Sequence, residues 1–420
     1  MRTTPVIPLL VGLMIGTSAV SSTAQTPTTP APPGAADLRA GVAPEPQVMS
    51  RAVDFAGHWL GGEGSSSKDG FYPEFGDMTT GAGWISGGPG YRRHFLNDQL
   101  FVDGSAAISW RAYKDAQARV EVQDIARSRA TLGFQARWQD LTQVNYFGIG
   151  ASSDESRRSE YRLRNTDLAG YGIVRANKWL SVGGRLGWLQ RPTISSSVGP
   201  FDADYPDAPL EFPADPGMAE QTSLLHGGAT VEADTRDYPG RPTRGGLYRA
   251  AAQTFSDCDL HQFSFRRYEA EGLHVLPIAG ERWVVALHGW GVFSDTPAGN
   301  SVPFYMLPSL GGGNTLRGYH DYRYHDSQML VVNVESRLAL VTHLDAAAFV
   351  DAGSVAARVG DLDLAKRSYG AGLRGHTRSS TLARLDVAHS DEGWQILFRL
   401  SDPFRLARRS LRTTVIPFVP

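Results

Sequence analysis

Within seven positions, His320, Asp321, His325 and Asp326 bring two imidazoles and two carboxylates into one segment, a donor set that could gather a divalent cation. The plain alternative is an exposed polar stretch of loop, and that is the reading carried forward. Asp202, Asp204, Asp207, Glu211 and Asp215 form an acidic run that could attract cations but reads first as surface charge. Cys258 is the sole cysteine, so neither an internal disulfide nor a cysteine-based zinc site is available. No His-Glu-x-x-His, Gly-x-Ser-x-Gly or P-loop lysine pattern occurs. The chain therefore reads as non-enzymatic, with no catalytic residue, no resident metal and no cofactor. Its most abundant reactive groups are guanidinium ions: of 41 basic residues only Lys68, Lys114, Lys178 and Lys366 are lysine. A planar five-donor fork suits fixed, bidentate pairing with carboxylates better than mobile surface charge.

Such pairs need rigid elements to hold them. The 420 residues carry 43 acidic groups against the 41 basic ones, a net charge of -2, and no basic excess that would point to nucleic acid. Met1 to Ala24 reads as a secretory signal, with Arg2, an apolar run from Val6 to Ile15 and the small residues Ser22, Thr23 and Ala24 before Gln25. Residues 25–70 open with a Pro/Ala/Thr-rich stretch that has little to bury, and are expected to be a linker in the periplasm. Beyond residue 24 no 18-residue apolar window follows. An exported chain without a membrane helix is either soluble or an outer-membrane β-barrel.

Alternation over segments of about ten residues decides between them. Leu330, Val332, Val334, Ser336, Leu338 and Leu340 alternate with Met329, Val331, Asn333, Glu335, Arg337 and Ala339. Ala130, Leu132, Phe134, Ala136 and Trp138 alternate with Thr131, Gly133, Gln135 and Arg137. In the last segment Trp394, Ile396, Phe398 and Leu400 oppose Gln395, Leu397, Arg399 and Ser401. One face is apolar and often ends in an aromatic, as lipid and its interfaces require; the other carries more charge than a dry sandwich core tolerates. Sixteen such segments are expected, from 73–86 to 393–404, with 128–139 and 178–190 among them. The expected fold is all-β: a 16-stranded antiparallel transmembrane β-barrel over 71–404, followed by a basic tail, 405–420. With both chain ends in the periplasm, long connections such as 191–221 and 295–326 face outward and short ones such as 236–244 face inward.

The sixth outer connection contains Leu310-Gly311-Gly312-Gly313-Asn314-Thr315-Leu316-Arg317-Gly318-Tyr319. It resembles the glycine-rich, Arg-Gly-aromatic loop of the BamA/TamA superfamily of outer-membrane barrels, the bacterial surface antigen family. The resemblance implies that this sixth loop folds into the lumen and that Arg317 meets Glu335 and the Phe349-x-Asp351-x-Gly353 pattern on the next two strands. By alternation Glu335, Phe349 and Asp351 all face inward. Asp234, Arg236, Asp237, Pro239 and Gly245 resemble the family's turn between strands eight and nine, and Tyr146-Phe147-Gly148-Ile149-Gly150 resembles another of its recurrent pieces. Trp394, Phe398 and Phe404 resemble its C-terminal strand signal.

The resemblance implies residence in the bacterial outer membrane and help in inserting or translocating a client protein or lipid through a weak seam between first and last strands. Glycines and threonines assigned to the first strand (Thr79, Thr80, Gly81, Gly83, Gly87 and Gly88) suit such a seam. It also implies partners: outer-membrane lipids, the barrel-assembly machinery for its own insertion, and a separately encoded periplasmic or client protein. The 46 residues of 25–70 are too few for the periplasmic POTRA domain of about 75 residues that usually docks clients. The alternative is a plugged passive pore, or a structural surface-antigen barrel without transport activity.

Overall fold

The computed structural model describes residue 42 and residues 69–76, 85–199 and 205–404. The expected signal and tail, and nearly all of the linker, lie outside the described residues. Sixteen strands form one antiparallel sheet in which each strand pairs with its sequence neighbour. They are β1 (Gly70–Gly76), β2 (Ser86–Phe95), β3 (Leu100–Ser109), β4 (Lys114–Asp124), β5 (Ala130–Tyr146), β6 (Ser159–Arg175), β7 (Leu180–Ser196), β8 (Leu224–Asp234), β9 (Gly245–Asp257), β10 (Phe265–Ala279), β11 (Trp283–Asp295), β12 (Gln328–Val341), β13 (Leu344–Ala356), β14 (Lys366–His376), β15 (Thr381–Ser390) and β16 (Gly393–Arg399). Among the described residues the pairing runs in that order, with no pairs between β16 and β1. None of the described helices is long and apolar enough to cross a membrane.

Period two governs burial. On β12, Glu335, Asn333 and Arg337 are buried while Val332, Val334 and Leu338 are exposed. Leu132, Phe134, Val182, Leu186, Val350, Leu385, Val387 and Ile396 are likewise exposed. Exposed apolar residues on every second position round a whole sheet require a hydrocarbon solvent. Aromatic side chains mark both rims of that belt. Trp110, Trp138, Trp188, Tyr268 and Trp394 stand toward the long loops, and Phe95, Trp179, Trp283 and Phe398 toward the short turns.

In four strands a boundary departs clearly from expectation. β1 lies at 70–76 rather than 73–86, so Gly87 and Gly88 belong to β2, where they pair with Phe75 and Glu74; residues 77–84 lie outside the described residues. β5 and β7 continue to 146 and 196, past the expected 139 and 190. Residues 139–146 are buried on both faces, which removes the alternation that would have marked them as strand. What covers them is an apolar cap over the loop end, built from Tyr146, Tyr161, Leu163, Phe212, Met218 and Phe304 with their neighbours. Finally, β16 ends at Arg399 rather than 404. Pro403 cannot donate to a ladder, and Asp402 accepts the Phe404 amide at 3.0 Å, turning the chain out of the sheet.

Candidate functional site

The segment 309–325 leaves the strands as a short ladder, Ser309–Leu310 against Tyr324–His325, and lies on the buried face of β12–β16. Leu316, Leu310 and Tyr319 pack with Trp290, Met329, Val331 and Val355. Gly311 and Gly312 have φ of 117° and 88°, a left-handed region that glycine adopts without strain. Gly318 serves a different need: a Cβ there would stand 2.6 Å from the Ser368 Cβ and 2.9 Å from that of Ser390. Only a bare backbone approaches the wall this closely.

That approach delivers Arg317. Its Nε and Nη2 bond Asp351 Oδ2 and Oδ1 at 2.9 and 2.7 Å, and its own amide bonds Oδ2 at 3.2 Å. Nη1 donates to Glu335, and the guanidinium carbon sits 3.4 Å from the Phe349 ring centre. Arg317 and Phe349 are 1% and 4% exposed, and Glu335 and Asp351 0%. Gly353 lies beside the loop; a Cβ there would come 2.8 Å from Leu330 O and 3.1 Å from Leu310 Cδ1.

Glu335 is shared by three arginines. Arg337 Nε reaches it at 2.7 Å, and Arg374 Nε and Nη2 at 3.2 and 2.9 Å. Arg374 continues to Asp386 at 2.6 Å, which also accepts Arg384 at 3.0 Å; Arg384 in turn donates to Gly313 O at 2.6 Å. Ser390 Oγ donates to Gly318 O at 2.7 Å, Tyr319 OH to Asp391 at 2.5 Å, and Arg399 to Asp321 at 3.1 Å. Every oxygen of Glu335 and Asp351 therefore accepts at least two donors. Such saturated carboxylates hold a loop in place, and neither is free to act as a base. Sequence reasoning found Arg317, Glu335, Phe349, Asp351 and Gly353; it did not single out Arg337, Arg374, Arg384 or Arg399. Alternation placed Arg337 and Arg399 inward, but an inward arginine has many candidate carboxylates, and parity does not choose among them.

The remaining candidates fall elsewhere. Asp234 accepts from Arg236 Nε and Nη2 at 2.9 and 2.8 Å, and Arg236 Nη1 donates to Pro239 O at 2.9 Å. Asp237 accepts the Tyr238 and Thr243 amides, both at 2.9 Å. Gly245, at φ 86°, closes this turn against the Thr235 carbonyl. The turn reaches the 377–380 connection through a Gly240–Ser380 bridge, and Arg241 pairs with Asp345 at 2.9 Å. Tyr146 to Gly150 dock on the sixth loop, with the Gly150 amide bonding His325 O at 2.7 Å. Trp394 and Phe398 are exposed on the outer face as expected. Phe404 is not; it is 4% exposed and packs on the inner side of β9–β11.

The segment expected to be an exposed polar stretch is largely buried, with His325 and Asp326 at 3% and 8% exposure, and its four candidate cation ligands go to different partners. Asp321 goes to Arg399, His320 faces Glu155 at 3.4 Å, Asp326 accepts the Ser327 amide at 2.7 Å, and His325 is buried between the rings of Tyr146 and Tyr322. Asp207 and Asp215 of the acidic run accept from Ser197 N and Tyr146 OH; Asp202 and Asp204 lie outside the described residues. Cys258 is exposed and unpaired.

Burial pushes the His325 imidazole down to about 3, and among the described residues its Nδ1 has no hydrogen-bond partner. Between that value and the ordinary value of about 6.5 the unfolded chain binds a proton that the folded chain refuses. Stability contributed here is present above about pH 6.5 and is lost as the pH falls toward 3. His325→Phe keeps a ring between the two tyrosines and removes the titration. Its unfolding midpoint is expected to change less than that of the wild type between pH 7 and 4; equal slopes would refute the assignment.

The Omp85 superfamily domain matches residues 89–391. No curated protein matches the chain. Among solved structures, BamA from Haemophilus ducreyi lacking POTRA domains 1–3 is 14% identical with a TM-score of 0.58, the match covering 79% of this chain and 70% of that one. CdiB from Escherichia coli is 13% identical with a TM-score of 0.50, over 79% of this chain and 61% of that one, so the match spans less than two thirds of CdiB. At these identities the likeness concerns the fold. The family match covers well over half of the sequence and takes in β3–β15 with the whole arginine-bearing loop, and on that basis the chain belongs to the Omp85 superfamily.

Proposed function

We propose that this barrel resides in the bacterial outer membrane and assists the insertion or translocation of a client protein, or of lipid, without catalysis of its own. The observation that carries the reading is where the sixth loop is tied. Beyond Arg317 it bonds β15 through Arg384 and Ser390, and β16 through Arg399. A loop fastened to the last strands is placed to govern how that edge meets a neighbour. The working partners are bilayer lipids, the assembly machinery that inserts the barrel itself, and a separately encoded periplasmic or client protein.

The test uses liposomes carrying the purified protein and a urea-unfolded outer-membrane barrel as probe. Faster folding of the probe than in empty liposomes is expected; equal rates would contradict the proposal. The second reading, a plugged pore or structural barrel, is favoured by the apolar cap around Phe304 and Tyr305 at the loop end. Planar-bilayer recording separates the two. Small erratic openings enlarged by deleting residues 311–320 support the loop-governed barrel, and steady openings indifferent to that deletion support a pore.

A further inference from the structure

After β16 the chain does not continue along the wall. Leu400-Ser401-Asp402-Pro403-Phe404 turns inward, and Phe404 enters an apolar socket formed by Leu247, Leu273, Val275, Val284 and Ala286, with the His288 ring 5.1 Å away. These residues sit at the short-turn ends of β9, β10 and β11. The next inward positions on the same strands carry Arg249, Glu271 and His288, so a polar rung separates the socket from the apolar side chains Phe255, Phe265 and Trp290 farther along. Asp402 fixes the approach: it meets Arg337 at 2.8 Å, accepts Thr381 Oγ1 at 3.1 Å and caps the Phe404 amide.

The charge balance depends on this segment. Arg317, Arg337, Arg374 and Arg384 are linked in one network whose carboxylates are Glu335, Asp351, Asp386 and Asp402. Without Asp402 the four buried cations face three anions. A network left one charge short, beside an emptied apolar socket, is a site built for a ligand with both an acid and an aromatic ring.

We propose that the inner wall at the short-turn end carries a binding site for an extended peptide of the form Asp-x-aromatic, filled in this chain by residues 400–404, which thereby act as an inner stopper. The proposal stands independently of the client-insertion reading. Deleting residues 405–420 leaves the stopper in place, whereas deleting 400–420 removes it. In planar bilayers the first deletion should conduct like the full chain and the second several-fold more. The synthetic peptide Leu-Ser-Asp-Pro-Phe, added to the longer deletion, should restore the low conductance. Versions with Asn for Asp or Ser for Phe should not.

Unchanged conductance on removing 400–420, or closure by all three peptides, would overturn the proposal. Should the longer deletion give no heat-modifiable barrel, Phe404→Cys in a Cys258→Ser background provides the reading in the full chain. The new thiol should resist a small maleimide reagent until the protein is unfolded; labelling as fast as that of native Cys258 would overturn the proposal.

Discussion

Glu335→Ala is expected to abolish the heat-resistant folded form, or to lower its unfolding temperature more than any other single substitution on the inner wall. Arg317, Arg337 and Arg374 all donate to this one carboxylate, which is fully buried. Removing it leaves three guanidinium groups converging without their shared anion. Breaking one buried pair costs roughly 3 to 5 kcal/mol, and here several bonds go at once. Loss of volume alone would give a smaller effect, and charge balance distinguishes the two causes. Glu335→Ala combined with Arg374→Met should recover part of the lost stability, since it removes one unpaired cation, whereas a cavity effect would only deepen. An ordinary unfolding temperature for Glu335→Ala would show that the arginines do not depend on it.

Gly318→Val is expected to unseat the sixth loop without altering any charge. The added Cβ would collide with Ser368 and Ser390, and the valine methyls with more of the wall. The Gly318 carbonyl would then leave Ser390 Oγ, and Arg317, next in sequence, would be drawn away from Asp351. Overpacking of this kind costs about 1 to 3 kcal/mol. Its particular signature is local: protease cutting within 310–325 should appear while the barrel remains heat-modifiable, because the wall's own register does not pass through the loop. Retained protection of that segment would mean that the close approach is not needed.

Much of the wall was legible in the sequence because lipid on one side and charge on the other write a period of two into β12, β5 and β16 alike. Glu335 and Asp351 were placed inward by parity alone, and the glycine-rich loop marked its own position. What parity could not supply was partner choice among inward arginines, which depends on side-chain reach across two or three strands, as Arg374 shows by bridging Glu335 and Asp386. The apolar cap was also hidden. Val302, Phe304, Tyr305 and Met306 are buried in a connection that has no period, and they look like any apolar patch in a loop. The inward turn of Phe404 was hidden for a similar reason. An aromatic six residues beyond Phe398 keeps the strand's parity, and only the turn made by Asp402 and Pro403 shows that it points inward.

Arg317 holds the loop to the wall through its carboxylates, and a double-mutant cycle on Arg317 and Asp351 measures that hold. Unfolding free energies would be measured in urea and detergent for the wild type, Arg317→Ala, Asp351→Ala and the double variant. The bidentate, fully buried pair predicts a coupling of about 1 to 3 kcal/mol, the double variant losing clearly less than the two single losses added. Losses that add to within about 0.5 kcal/mol would contradict the account.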